Sequence, residues 1–183
     1  MKKLLIVLTG LFFIANANAQ DVKFGVKAGV NFANVEGAPV NLDSRTGFHV
    51  GVTTELMFSD KFSVQPEVIY SAQGAKLDNI GTTELDYIAI PVMAKYYIID
   101  GLSIEAGPQV SFLVNDTVTY EDSALENDNA NVESFDFGVN FGLGYKFNNG
   151  FFAQARYNLG IAAIQENPDI TNRVFQLSVG YQF

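Results

Sequence analysis

The chain of 183 residues has no cysteine, no tryptophan and one histidine, and it carries 11 lysines and arginines against 20 aspartates and glutamates. Without cysteine there is no disulfide, no thiolate metal site and no acylated lipoprotein terminus. A lone His49 offers no metal-spaced His/Cys set, and no Gly-rich phosphate loop is present, so no metal and no cofactor is expected. The net charge of −9 argues against nucleic acid as a partner, because that needs a basic patch. Beyond the first twenty residues there is also no continuous apolar run of the roughly 18 residues a membrane-spanning helix needs. If this chain enters a membrane, it does so with strands.

The first nineteen residues, MKKLLIVLTGLFFIANANA, have the organisation of an export signal. Two lysines precede an apolar stretch from Leu4 to Ala15, and the small residues Ala17 and Ala19 form an A-x-A site. The apolar stretch is too short to be a membrane anchor. The expected division is a cleaved signal peptide over 1–19 and one domain over 20–183. Loss of Lys2 and Lys3 takes the formal charge from −9 to −11.

What the sequence has in abundance is alternation with period two. In VKFGVKAGVNF the apolar Val22, Phe24, Val26, Ala28, Val30 and Phe32 alternate with Lys23, Gly25, Lys27, Gly29 and Asn31. GFHVGVTTELMF, FSVQPEVIYSAQ, LSIEAGPQVSFLV, SFDFGVNFGLGYKF, FFAQARYNLGIA and FQLSVGYQF repeat the pattern. In LDYIAIPVMAKYYI it is less regular, with Ile88, Ile90, Val92, Ala94 and Tyr96 assigned to the apolar face and Lys95 to the other. These are eight strands. Short connections at Ser59–Lys61, Asp100–Gly101 and Asn148–Gly150 have hairpin-turn chemistry. Long polar connections are expected over 33–46, 74–84, 114–134 and 163–172. Tight turns and both termini therefore share one end, and four long loops share the other.

Two eight-stranded up-and-down barrels fit this pattern: a soluble one with its apolar face inside, and a transmembrane one with that face turned to lipid. An eight-stranded barrel has an interior only just wide enough for side chains. Its polar parity is rich in Gly, Ser, Asn and Gln, which suits that interior. Its apolar parity carries Phe135, Phe137, Phe141, Tyr145 and Phe147 on one strand, which fits against acyl chains far better than inside. The polar parity also holds Lys27, Lys95, Lys146 and Arg156 against Glu55, Glu67, Glu105 and Asp136. Four bases against four acids is the balance a closed lumen needs, since an unpaired buried charge is costly. The expected fold is an all-β, eight-stranded antiparallel transmembrane barrel, with outer-membrane lipid as its surroundings and these eight residues as a lumen charge network.

GVKAGVNFANV, IPVMAKYY, EAGPQVSFLV, FGLGYKF, ARYNLGI and LSVGYQF resemble the strands of the PorT-like family of small outer-membrane β-barrel proteins of Gram-negative bacteria. The likeness spans nearly the whole chain after the signal. It implies export to the outer membrane, both termini on the periplasmic side, and folding by the barrel-assembly machinery, which reads a terminal aromatic signal; Tyr181 and Phe183 occupy those positions. Some members are tied to secretion or surface assembly, and no motif here carries that role.

Catalysis has little material. A lipid-modifying outer-membrane enzyme would pair His49 with a serine nucleophile and an orienting acid, and the sequence names no such serine. Calcium could be held by Glu121, Asp122, Glu126 and Asp128, but their spacing matches no EF-hand loop. The expectation is a monomeric barrel without enzymatic activity, structural or surface-binding through its loops toward an unidentified extracellular ligand. A narrow pore is the alternative, and an enzyme the third reading.

Overall fold

The computed structural model describes residues 21–36, 43–77, 81–120, 134–161 and 171–183. The expected signal peptide over 1–19, and Glu121, Asp122, Glu126 and Asp128, lie outside them. Eight strands follow one another: β1 (Asp21–Glu36), β2 (Asp43–Ser59), β3 (Phe62–Leu77), β4 (Gly81–Ile99), β5 (Leu102–Tyr120), β6 (Phe135–Lys146), β7 (Phe151–Gly160) and β8 (Thr171–Gln182). Each pairs antiparallel with the next, and β8 closes on β1. Phe32 stands opposite Phe175, and Val26 opposite Tyr181. Closure removes the free edges that an open sheet would present.

The three tight turns fall where expected. Gly101 and Gly150 take the left-handed conformation, with φ of 81° and 89°, which glycine adopts without the cost of a Cβ. The long connections are shorter than the sequence suggested. Residues 33–36 and 43–46 belong to β1 and β2, 74–77 and 81–84 to β3 and β4, 114–120 to β5, and 171–172 to β8. Of the connection expected over 74–84, only 78–80 lies outside the described residues. Here the ladder continues beyond the apolar band, so both faces of the strand turn polar and the alternation that marks a strand is lost, while the backbone pairing persists.

The apolar parity faces outward. On β1 it runs from Val22 to Phe32, exposed throughout at its large residues. Ten residue steps of about 3.3 Å span about 33 Å along the strand. At a tilt of about 45° that is about 23 Å of height, close to the apolar band of a transmembrane barrel. Aromatic rings mark both borders. Toward the long-loop end lie the pairs Phe32–Phe175, Phe48–Tyr70 and Phe112–Phe135, with ring centroids 6.3, 5.8 and 5.8 Å apart. Toward the tight-turn end lie Phe58–Phe62, Tyr145–Phe147 and Phe151–Tyr181, at 6.0, 4.9 and 5.1 Å. Above the band the outward parity of β4 changes to Asp86 and Glu84, where Glu84 pairs with Arg45 at 2.7 Å.

The lumen is not purely polar. Ile69, Leu85, Tyr87, Ala89, Met93, Phe152 and Val174 are buried inside it. Four of these lie on β4, whose lumen parity is apolar apart from Lys95 near its tight-turn end, and this is why its alternation reads poorly in the sequence.

Candidate functional site: the lumen network and its two ends

Six of the eight expected lumen charges form one continuous chain of ion pairs. Lys27 Nζ lies 2.8 Å from Glu67 Oε2. Arg156 holds Glu67 through Nη1 and Nη2, both at 2.9 Å, and Nη2 also reaches Glu105 Oε2 at 2.9 Å. Lys95 Nζ then lies 3.7 Å from Glu105 and 3.2 Å from Glu55. Base and acid alternate at every link, and the six residues come from six different strands: β1, β3, β7, β5, β4 and β2. The chain closes at three positive and three negative charges, so burying it leaves no net charge.

Polar neighbours take up further lone pairs and protons, while the buried Arg156 Nε is left without a hydrogen-bond partner. Gln65 donates to Glu67 at 2.7 Å and accepts from Lys95 at 3.0 Å. Gln154 accepts from Lys27 at 3.4 Å and donates to both oxygens of Glu105, at 3.1 and 3.3 Å. Glu55 accepts from Ser63, Tyr97 and Gln182 at 2.6, 2.6 and 2.8 Å. β6 supplies space instead of charge. A Cβ on Gly144 would meet Glu105 Oε1 at 2.4 Å, and one on Gly142 would meet Arg156 Cβ at 3.3 Å.

Asp136 and Lys146 stand apart, at opposite ends of β6. Asp136 is buried and accepts from Asn172 Nδ2 at 3.0 Å, and its Oδ1 has no hydrogen-bond partner. Lys146 is half-buried at the tight-turn mouth and lines a cavity there. The expected balance of four against four is thus a neutral network of three against three, plus one acid at the long-loop end and one base at the tight-turn end.

A second, uncharged hydrogen-bond cluster, drawn from β1, β2 and β8, surrounds His49. Asn31 Nδ2 faces the carbonyl oxygens of Phe48 and Ala72, at 3.1 and 2.8 Å. Carbonyls only accept, so the amide's orientation is fixed. Asn31 Oδ1 is therefore the atom 2.7 Å from His49 Nδ1, and Nδ1 donates to it. His49 Nε2, 2.8 Å from Ser178 Oγ, accepts the hydroxyl proton. Sequence reasoning named no serine for His49; β8 places Ser178 beside it across the barrel closure, a pairing visible only in the register Gly29↔Ser178 and Gly29↔His49. Ser178, His49 and Asn31 are 4 %, 1 % and 0 % exposed.

Phe152 is a further lumen residue the sequence reading missed, although its parity places it inward. Its ring lies over Gly180, where a Cβ would meet it at 2.3 Å. Around Phe152, Lys95, Gln154 and Gln182 the remaining void is about 10 Å³, room for about one water molecule. Among the described residues no His/Cys/Asp/Glu group is arranged to hold a metal ion. Tyr181 and Phe183 face outward at the tight-turn border, their ring centroids 5.4 Å apart.

This architecture has solved counterparts. The attachment invasion locus protein Ail of Yersinia pestis shares 14 % identity at a TM-score of 0.61, over 89 % of this chain and 99 % of that one. In its complex with the heparin analogue sucrose octasulfate, Ail matches at 13 % identity and a TM-score of 0.58, over 89 % and 99 %. Neisserial surface protein A matches at 16 % identity and 0.59, over 87 % and 95 %. At these identities the likeness is one of fold. No curated protein matches by sequence. Residues 18–166 match the family described as the outer membrane protein beta-barrel domain. That match covers most of the chain, and the outward apolar band between two aromatic borders is what such a protein requires: this chain belongs to the outer membrane protein beta-barrel domain family, whose place is the bacterial outer membrane.

Proposed function

We propose that the protein is a non-conducting, non-enzymatic surface barrel that binds a partner through its extracellular end. The observation that carries this reading is the packed lumen, where an alternating chain of three bases and three acids crosses the interior beside a void of about 10 Å³. A buried network of alternating charges, linked across six strands, is a lock between them and leaves solutes no path. In outer-membrane barrels the tight turns face the periplasm and the long connections face outside, so β4 and β5, at 19 residues each, carry the wall beyond the bilayer on the extracellular side. A rigid wall that presents loops is a good base for binding.

The Ser178–His49–Asn31 relay has the connectivity of an acyl-transfer triad. A structural role suits it better. All three residues are buried, and the groove that touches Ser178 lies on the outer apolar face over Ala153 and Ala155, with the strand backbone between it and the hydroxyl.

Ail was solved with a sulfated, polyanionic ligand. The third loop here carries Glu121, Asp122, Glu126 and Asp128, and charge repulsion makes a neutral or cationic partner the better fit. The finer PorT-like likeness rests on the strand sequences GVKAGVNFANV and LSVGYQF. The reading also includes the signal peptide over 1–19, a monomeric state, and Tyr181 with Phe183 as the signal for assembly. Cells of a non-adherent Gram-negative host displaying the protein should bind cationic or neutral surfaces, and replacing 121–133 by a four-residue turn should abolish this. Binding to sulfated polyanions, or binding that survives the loop replacement, would overturn the reading.

A further inference from the structure

We propose that a groove on the lipid-facing wall, formed by β3, β4, β5 and β6, is a defined seat for an acyl chain of a phospholipid from the periplasmic leaflet. The groove has a volume of about 420 Å³, within the range of small-ligand sites. Its floor is the cross-strand pair Ala94 and Ala106. One wall is a row of paired outward side chains: Phe62 on β3, Tyr96 on β4 and Ile104 on β5. Phe141, paired with Ala106, bounds the β6 side. These four large side chains are all exposed, so the outer surface dips at the alanines and rises around them.

The position of the groove says what covers it. It lies on the outward parity, inside the apolar band, so it continues the surface that the bilayer already contacts. Ala106 is four residues from Leu102 at the tight-turn end of β5 and six from Phe112 at the opposite aromatic border. Phe62 belongs to the tight-turn border itself. The groove therefore sits in the half of the band toward the tight turns, which face the periplasm, and the nearest headgroup layer is the periplasmic one. A lipid tail gains no hydrophobic free energy there, because it leaves surroundings as apolar as the protein wall. Its gain is contact. A groove left open forfeits the dispersion attraction of the atoms that line it. A chain laid in it touches a floor and a wall together, where on the convex remainder of the barrel it touches one surface.

The test is native mass spectrometry of the full-length protein, extracted in mild detergent from the outer membrane of a Gram-negative host. The wild type should retain a bound phospholipid. Ala106→Phe, which fills the floor, should lower the lipid-bound fraction about fivefold or more. Val50→Phe, on the outward face of β2 and away from the groove, should leave it unchanged. Both substitutions put an apolar ring against lipid, and gel mobility without boiling checks that each variant is folded. Wild-type protein refolded into vesicles of phosphatidylethanolamine and phosphatidylglycerol alone should carry the same adduct, which separates a phospholipid from a glycolipid of the opposite leaflet and needs no variant. No retained lipid in the wild type, an adduct with the mass of a glycolipid or of a second copy of the chain, or equal retention in wild type and Ala106→Phe would each overturn the proposal.

Discussion

Replacing Arg156 by glutamine should be the most damaging single change in the lumen. Arg156 makes three contacts of 2.9 Å, two to Glu67 and one to Glu105. After the change Glu67 keeps Lys27 at 2.8 Å and Gln65 at 2.7 Å, while Glu105 keeps Gln154 and a distant Lys95 at 3.7 Å. The network passes from neutral to one excess negative charge in a buried site. Breaking a buried pair in this way costs about 3–5 kcal/mol. Glu67→Gln should cost a similar amount by the opposite imbalance. The double substitution restores neutrality at two against two and should recover about 2–3 kcal/mol of the summed loss as coupling. With no tryptophan in the chain, the assay is urea unfolding in lipid vesicles followed by far-ultraviolet circular dichroism, with the folded fraction checked by gel mobility without boiling. A loss below about 1 kcal/mol for Arg156→Gln, or a double variant as unstable as the sum of its singles, would refute the idea that charge neutrality holds the network together.

Three further outcomes follow from the same geometry. Gly144→Val should lower stability by about 1–3 kcal/mol, because its side chain would strike Glu105 Oε1, a group held by three partners; an unchanged unfolding midpoint would mean that β6 does not supply that space. Val52→Lys, on the outward parity in the middle of the apolar band, should cost about 2–4 kcal/mol, and Val22→Lys at the tight-turn border about 0–1 kcal/mol; equal costs in vesicle unfolding would contradict the placement of the bilayer. Deletion of Phe183 should leave refolding from urea intact in vitro and cut the amount of folded protein in the outer membrane; equal amounts in membrane fractions would remove its role as an assembly signal.

Much of this was legible in the sequence because a barrel wall is two-faced. Each outward Phe or Val and each inward Lys, Glu or Asn sits on a strict two-residue period, so the facing of Lys27, Glu55, Glu67, Lys95, Glu105 and Arg156 followed from parity alone. Parity gives a side but not a height, and height decides which charges meet. Asp136 and Lys146 share the inward face of β6 with no network partner because they lie ten residues apart along it. The same limit hid Ser178 from His49, since residues 129 positions apart meet only through the register of barrel closure. β4 misled for another reason: Leu85, Tyr87, Ala89 and Met93 fill the lumen with apolar bulk, so neither parity reads as polar. The long connections misled because paired backbone carries no hydrophobic signature once it rises above the lipid.

The most direct measurement is single-channel current across a planar bilayer holding protein shown to be folded by its gel mobility. A lumen crossed by the Lys27–Glu67–Arg156–Glu105–Lys95–Glu55 chain predicts a silent bilayer, and silence again for the neutral Arg156→Gln/Glu67→Gln variant, in which Phe152 still fills the space below. Steady, resolvable conductance from the unmodified protein would contradict a packed lumen and would make those six charges the lining of a pore.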